Sequence, residues 1–141
     1  MNAREVAARV ETVIKIHSLR PEEYDLVRPE LTLVAFLHLA NAPGALHTAL
    51  QAARATTFSL EMVREGPDEY PILGPLSALG GRVAVTLAAY HLTVPGKGPG
   101  ILLGGASGVP PALVLVIGAG AAGTAAAAEA VALGAQVVVL D

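Results

Sequence analysis

Apolar residues cluster in short runs separated by polar or proline-bearing stretches. Residues 10–16 and 31–39 (LTLVAFLHL) are such runs and each predicts a buried strand, and residues 56–60 predict a third strand. After the second run, Asn41 is placed to cap a helix, with Pro43 in its first turn and the helix continuing through Ala53. Residues 75–92 predict a long helix. Its small residues, Ala78, Gly80, Gly81, Ala84 and Ala88, would let a neighbour approach closely, so a deep or inter-domain position is expected. The intervening stretches read as a polar link around Pro21 and Pro29, a turn over 66–71 (GPDEYP) and a flexible loop over 94–100 (VPGKGPG). Strands alternating with helices predict an α/β architecture with parallel sheets, and no internal repeat is visible.

The last thirty residues carry the strongest pattern. An apolar run leads into Gly118, Gly120 and Gly123 in G-x-G-x-x-G spacing, then an alanine-rich helix from about Ala121, a second apolar run, and Asp141. Such glycines permit a tight turn, close approach of a pyrophosphate to the backbone, and close helix–strand packing. The helix start would direct its N–H groups and the positive end of its dipole at phosphates. A carboxylate at the end of the second strand can accept both ribose hydroxyls and would repel a 2′-phosphate, so Asp141 argues for NAD over NADP. The glycines alone also fit ordinary turns. The strand before, the helix after and the acid at the right distance make the dinucleotide reading specific. A dinucleotide-binding fold uses two such halves, so the chain is expected to be a fragment or a truncated product.

Composition sharpens this picture. The chain is 53% hydrophobic and only 15% charged, and after Arg82 its only charged residues are Lys97, Glu129 and Asp141. So apolar a segment is normally covered on both sides, and without its partner half it should expose apolar surface. A net charge of -3 with no basic stripe gives nucleic-acid binding no support. There is no cysteine, hence no disulfide or thiolate chemistry. Charges in the first twelve residues leave no apolar signal-peptide core, so a cytoplasmic location is expected. A membrane span over 111–128 is the competing reading of the last apolar stretch, but its GAGAAG centre and the following Glu129 fit a phosphate turn better.

Few side chains offer chemistry. His38 stands near the C-terminal end of an apolar strand, the end that faces the ligand crevice in open α/β sheets. It could act as an acid or base, or be a core imidazole bonded to a carbonyl. Lys15 and His17, two apart in a strand, share a face and could hold a carboxylate, or be a snorkelling lysine beside an edge histidine. His47 and His91 read as solvated. Glu61, following a strand, could orient a base or cap a helix. No metal-ligand spacing and no serine-nucleophile signature appear.

With these residues in view, the chain resembles the alanine dehydrogenase family. The match rests on PEEYDLVRPE, LTLVAFLHLA, LEMV, PLSALGGRVAVTLAAYHL, GILLGGASGVPPA and VLVIGAGAAG through VVVLD, and so covers nearly the whole chain. The related transhydrogenase α subunit shares the nucleotide stretch but lacks a histidine of the LHLA kind, so His38 favours the dehydrogenase. The resemblance implies part of a flavodoxin-like catalytic domain over 1–74, then an inter-domain helix and the first strand–helix–strand half of a Rossmann NAD-binding domain over 75–141. It implies oxidation of L-alanine to pyruvate and ammonia with NAD by a cytoplasmic homo-oligomer. It places His38 at the proton-transfer position, Ser77 and Asp141 on the cofactor, and Ala121 and Ala122, with Gly118, Gly120 and Gly123, on the pyrophosphate. Departures go with it. The family's K-V-K-E-P strand aligns with Lys15, Ile16, His17, Ser18 and Leu19, so His17 replaces a substrate-holding lysine; the M-S-E segment is Leu76, Ser77 and Ala78. The substrate arginine would precede Met1 and the catalytic aspartate would follow Asp141. The chain alone is therefore expected to be inactive. The alternatives are a non-catalytic nucleotide-binding or docking remnant and a transhydrogenase-like NAD(H)-binding piece.

Overall fold

A computed structural model describes residues 2–67 and 69–141. The chain divides into two compact units, Met1–Leu73 and Gly74–Asp141. The turn expected over 66–71 includes Asp68, which lies outside the described residues.

The first unit is a three-stranded parallel sheet in the order β1 (Thr12–Ile14), β2 (Thr32–Ala35), β3 (Thr56–Ser59). Its central strand comes from LTLVAFLHL, where Leu31, Leu33, Ala35, Phe36 and Leu37 are all buried. One face of the sheet packs Leu33, Ala35 and Leu37 onto Leu19, Val27 and Leu46, the last from helix α2 (Gly44–Ala53). On the other face Ile14, Val34 and Phe58 are in register, and both Ile14 and Phe58 are exposed. The run over 10–16 is thus not a buried strand. It yields three residues at a sheet edge, with Ile14 and Ile16 open, because an edge strand with one covered face needs few buried side chains.

Three helical features of this unit differ from the sequence reading. Asn2 and Glu5 form a reciprocal capping box that starts the short helix α1 (Ala3–Ala7). The supposed polar link contains a 3-10 turn, Pro21–Leu26, begun by proline at its first position. Asn41 does not cap α2: it ends a 3-10 turn, Leu39–Asn41, and Pro43 occupies the cap with no side-chain hydrogen bond.

Helix α3 (Leu73–Leu92) lies in the second unit in all but its first residue, and that unit ends with a parallel pair, β4 (Leu113–Ile117) and β5 (Gln136–Leu140), joined by α4 (Ala121–Ala132). Val85, Leu103 and Ala130 form its core with Val114, Val137 and Ala126 around them. The close approach expected of small residues on α3 is real at one place. A Cβ on Gly81 would lie 2.0 Å from the carbonyl oxygen of Ala122. The helix is not deep, however: only Gly81 and Val85 are buried along it. Residues 94–100 form a tight C-terminal wrap rather than a flexible loop. Gly98 N–H donates to Thr93 O (2.8 Å), and Gly100 and Ile101 N–H both donate to Leu92 O. Gly96 and Gly98 lie so near the end of α3 that a Cβ on either would fall 2.0 Å from a helix carbonyl. The stretch over 111–128 is a strand, a turn and a helix start, and among the described residues no helix is long and apolar enough to cross a membrane. Leu113, Leu115, Ile117, Val138 and Leu140 share one face of the β4–β5 pair, and all are exposed.

Candidate functional site

In the second unit, β4 delivers the chain into the glycine turn and α4 leaves it. Gly118 has φ +96°, a left-handed conformation that costs a glycine little. Gly123 sits so close under it that a Cβ would be 1.8 Å from Gly118 O. Gly120 is different: its φ is ordinary, and a Cβ there would meet nothing within 4 Å. The three glycines thus split into a conformational, a packing and an open position, and the open one is where a ligand can reach the backbone. Gly120 caps α4 without a side chain, so Ala121 and Ala122 begin the helix with uncapped N–H groups. Thr124 braces the turn, its hydroxyl donating to Ala119 O at 2.8 Å. Asp141, at the end of β5, reaches the same turn, with Oδ1 accepting from Ala119 N–H at 2.8 Å. A carboxylate and a row of backbone donors therefore stand together, which fits a group that carries both ribose hydroxyls and phosphates. Ser77 is half-buried on α3, one turn before Gly81 and on the same helix face, the face that meets Ala122.

In the first unit, the buried β2 ends by turning sharply at His38. Its backbone is left-handed (φ 49°, ψ 43°), which costs a non-glycine residue about 1–2 kcal/mol. Its amide donates to Glu61 Oε1 at 2.7 Å, and its exposed ring stacks on Phe36 at 5.9 Å. His38 is therefore not a core imidazole. With Glu61, Asn41, Ser59 and Met62 it lines a pocket of about 340 Å³ just beyond the strand ends.

Lys15 and His17 are not a cation pair. Lys15 Nζ donates to Ser18 O (3.1 Å) and to Glu23 Oε2 (2.5 Å), whereas His17 is exposed and makes no hydrogen bond or ion pair among the described residues. The buried Glu23, missed in the sequence reading, also accepts from the Arg20 backbone N–H at 2.8 Å and from the Arg20 guanidinium at 3.1 Å. The Arg20 amide, then the Lys15 ammonium, hold its carboxyl at about 2, well under its ordinary 4.5, against the opposing effect of burial. A proline followed by two acids is a visible start signal for such a turn, but its link to Lys15 is not a local pattern. His47 and His91 are exposed as expected, yet each ring meets a carbonyl, Leu39 O at 2.9 Å and Gly96 O at 3.3 Å.

Parallel sheets, a strand-end histidine and a glycine turn closed by a carboxylate define an α/β protein with a Rossmann-type half. Two family descriptions match the chain: "Alanine dehydrogenase/PNT, N-terminal domain" over residues 1–80 and "Alanine dehydrogenase/PNT, C-terminal domain" over residues 84–141. The chain belongs to the alanine dehydrogenase/PNT family. It is 40% identical to an alanine dehydrogenase of Mycolicibacterium smegmatis over 99% of its own length and 37% of that protein's. Against the Bacillus subtilis alanine dehydrogenase it is 43% identical over 93% of this chain and 34% of the relative. A solved L-alanine dehydrogenase superposes with a TM-score of 0.84 at 38% identity, covering 99% of this chain and 38% of that one. A transhydrogenase from Sinorhizobium meliloti shares the fold, with a TM-score of 0.75 at 24% identity, 98% of this chain and 39% of that one. The chain thus spans little more than a third of the length of these relatives.

Proposed function

We propose that this chain supplies the proton-transfer histidine and the first half of the cofactor grip of an NAD-dependent L-alanine dehydrogenase. Residues 1–74 would be part of the substrate domain, and 75–141 the connecting helix and the first half of the NAD-binding domain. The observation that carries the reading is the turn at Gly118, Gly120 and Gly123, open at Gly120 and closed by Asp141. Ala121 and Ala122 would present N–H groups to the pyrophosphate, Asp141 would take the adenosine ribose, and Ser77 would approach from the α3 face. NAD, when bound, supplies the acceptor for hydride from the substrate α-carbon. His38 would then move the proton between the substrate nitrogen or oxygen and solvent, for which its exposed ring at the strand end is suited. His17 would stand near the substrate carboxylate, where an imidazole is a shorter-reaching and weaker clamp than a lysine ammonium. Lys15 would act through Glu23 on the fold instead of on the substrate. The exposed apolar faces support assembly with further copies, and the family setting supports a cytoplasmic location.

The test is L-alanine-dependent NAD reduction by the protein purified from its own cells. His38→Gln should lower kcat by about 10²- to 10⁴-fold, the usual contribution of a positioned acid or base. Unchanged turnover in that variant would refute the assignment of His38. NADH binding without any alanine turnover would favour the second reading, a non-catalytic nucleotide-binding remnant, to which the replacement of a lysine by His17 also points.

A further inference from the structure

Glu61 lies 23 residues beyond His38, in the 3-10 turn Leu60–Met62 that follows β3, yet its Oε1 accepts the His38 backbone N–H at 2.7 Å. His38 is one of four non-glycine residues with positive φ among the described residues, and it adopts this conformation where β2 leaves the sheet. The second carboxylate oxygen of Glu61 is buried and has no hydrogen-bond partner, the only such side-chain atom among the described residues. A buried carboxylate oxygen left without a partner is costly, and natural folds keep one where it serves a purpose. An apolar residue here would avoid that cost. What it could not do is hold the left-handed amide. Asn and Gly occupy left-handed positions more readily than histidine, and a hydrogen bond to the His38 amide offsets part of that cost.

We propose that Glu61 is a positioning residue: its carboxylate fixes the His38 backbone in the left-handed conformation and thereby sets where the imidazole stands at the strand end. The role in turnover rests on the dehydrogenase reading; the restraint itself does not. With the amide held and the ring stacked on Phe36, the imidazole has one backbone orientation from which to meet a substrate. Release of the amide lets φ relax and swings the ring away from that position. A misplacement of about 1 Å at a reacting group can cost about 10²-fold in rate.

Amide exchange on the ¹⁵N-labelled full chain reads the restraint without any activity. The His38 amide should exchange at least tenfold faster in Glu61→Ala than in the parent, while the Leu33 and Val34 amides of β2 keep their rates. Glu61→Gln should restore most of the protection, because its amide oxygen can still accept. In a His38→Gly background, where left-handed backbone costs little, Glu61→Ala should lose most of its effect on the unfolding midpoint; this comparison holds even if Glu61→Ala folds poorly. In the protein purified from its own cells, turnover should fall about 10- to 100-fold in kcat with KM nearly unchanged in Glu61→Ala, and recover in Glu61→Gln. Unaltered His38 exchange in Glu61→Ala, or an equal stability loss in both backgrounds, overturns the proposal. Faster His38 exchange in a protein whose alanine turnover ignores His38→Gln overturns the dehydrogenase reading and the role in turnover with it, and leaves the restraint in place.

Discussion

Glu23→Gln should cost stability at neutral pH and nothing in strong acid. Glu23 is 11% exposed at its side chain and takes hydrogen bonds from the Arg20 amide and from Lys15, itself 28% exposed. These contacts hold its carboxyl at about 2 when folded, against an ordinary 4.5. Because the folded value is depressed, the stabilisation is fully present above about 4.5 and is lost as pH falls towards about 2. At 1.36 kcal/mol for each pH unit, the interval sets a ceiling of about 3 kcal/mol. The neutral variant keeps an acceptor for the Arg20 amide, and the Arg20 guanidinium is 68% exposed and contributes little. A loss of about 1–3 kcal/mol at pH 7 is therefore expected. Urea unfolding followed by circular dichroism, run on parent and variant at pH 7, 4 and 2, measures the difference directly. It should shrink between pH 4.5 and 2 and vanish at the acid end. A pH-independent difference, or none at pH 7, would show that the charge on Glu23 does not act through these partners.

The glycine turn gives two opposed expectations. Gly123→Ala should destabilise the chain by about 1–3 kcal/mol, since its Cβ would fall 1.8 Å from Gly118 O. Gly120→Val should cost no more than about 1 kcal/mol, the loss of a glycine N-cap, and weaken NADH binding at least tenfold, because the space above it is open; a larger stability loss with unchanged binding would place Gly120 in the scaffold and not the site. His17→Lys should lower KM for alanine by about 10- to 100-fold, the worth of one charge-assisted contact, with kcat nearly constant, whereas Lys15→Ala should act on stability; the reverse pattern would put Lys15 on the substrate. Ile117→Lys should reduce binding of a hydrophobic dye without lowering the melting temperature, since Ile117 is 81% exposed; a marked drop in melting temperature would mean that this face is covered in solution.

Local chemistry was legible where one segment decides its own structure. LTLVAFLHL is apolar because β2 lies between two strands, and the β4–α4–β5 unit is written out by its glycines and Asp141. The run over 10–16 looks the same in sequence but sits at an edge, because apolar content alone does not say how many neighbours a strand has. The capping box of Asn2 and Glu5 is readable in the sequence, since both partners lie within one turn of each other. At the site, His38 and the glycine positions were legible, but their partners were not. Glu61 reaches across 23 residues to a backbone amide, and Glu23 removes Lys15 from the pairing with His17 that strand alternation predicted. Such contacts depend on which turns the fold brings together, and no periodicity records them. The backbone of His38 was hidden for the same reason: histidine carries no sequence mark of a left-handed conformation.

The central claim is that the glycine turn and Asp141 together hold NAD. Nicotinamide fluorescence, titrating NADH and NADPH separately into the protein and its Asp141→Asn variant, tests it most directly. NADH should bind the parent at least tenfold tighter than NADPH, the effect of a carboxylate opposed to a 2′-phosphate, about 1.4 kcal/mol or more. Asp141→Asn should narrow or abolish the gap. Equal affinities in the parent, or a preference that survives Asp141→Asn undiminished, would contradict the claim.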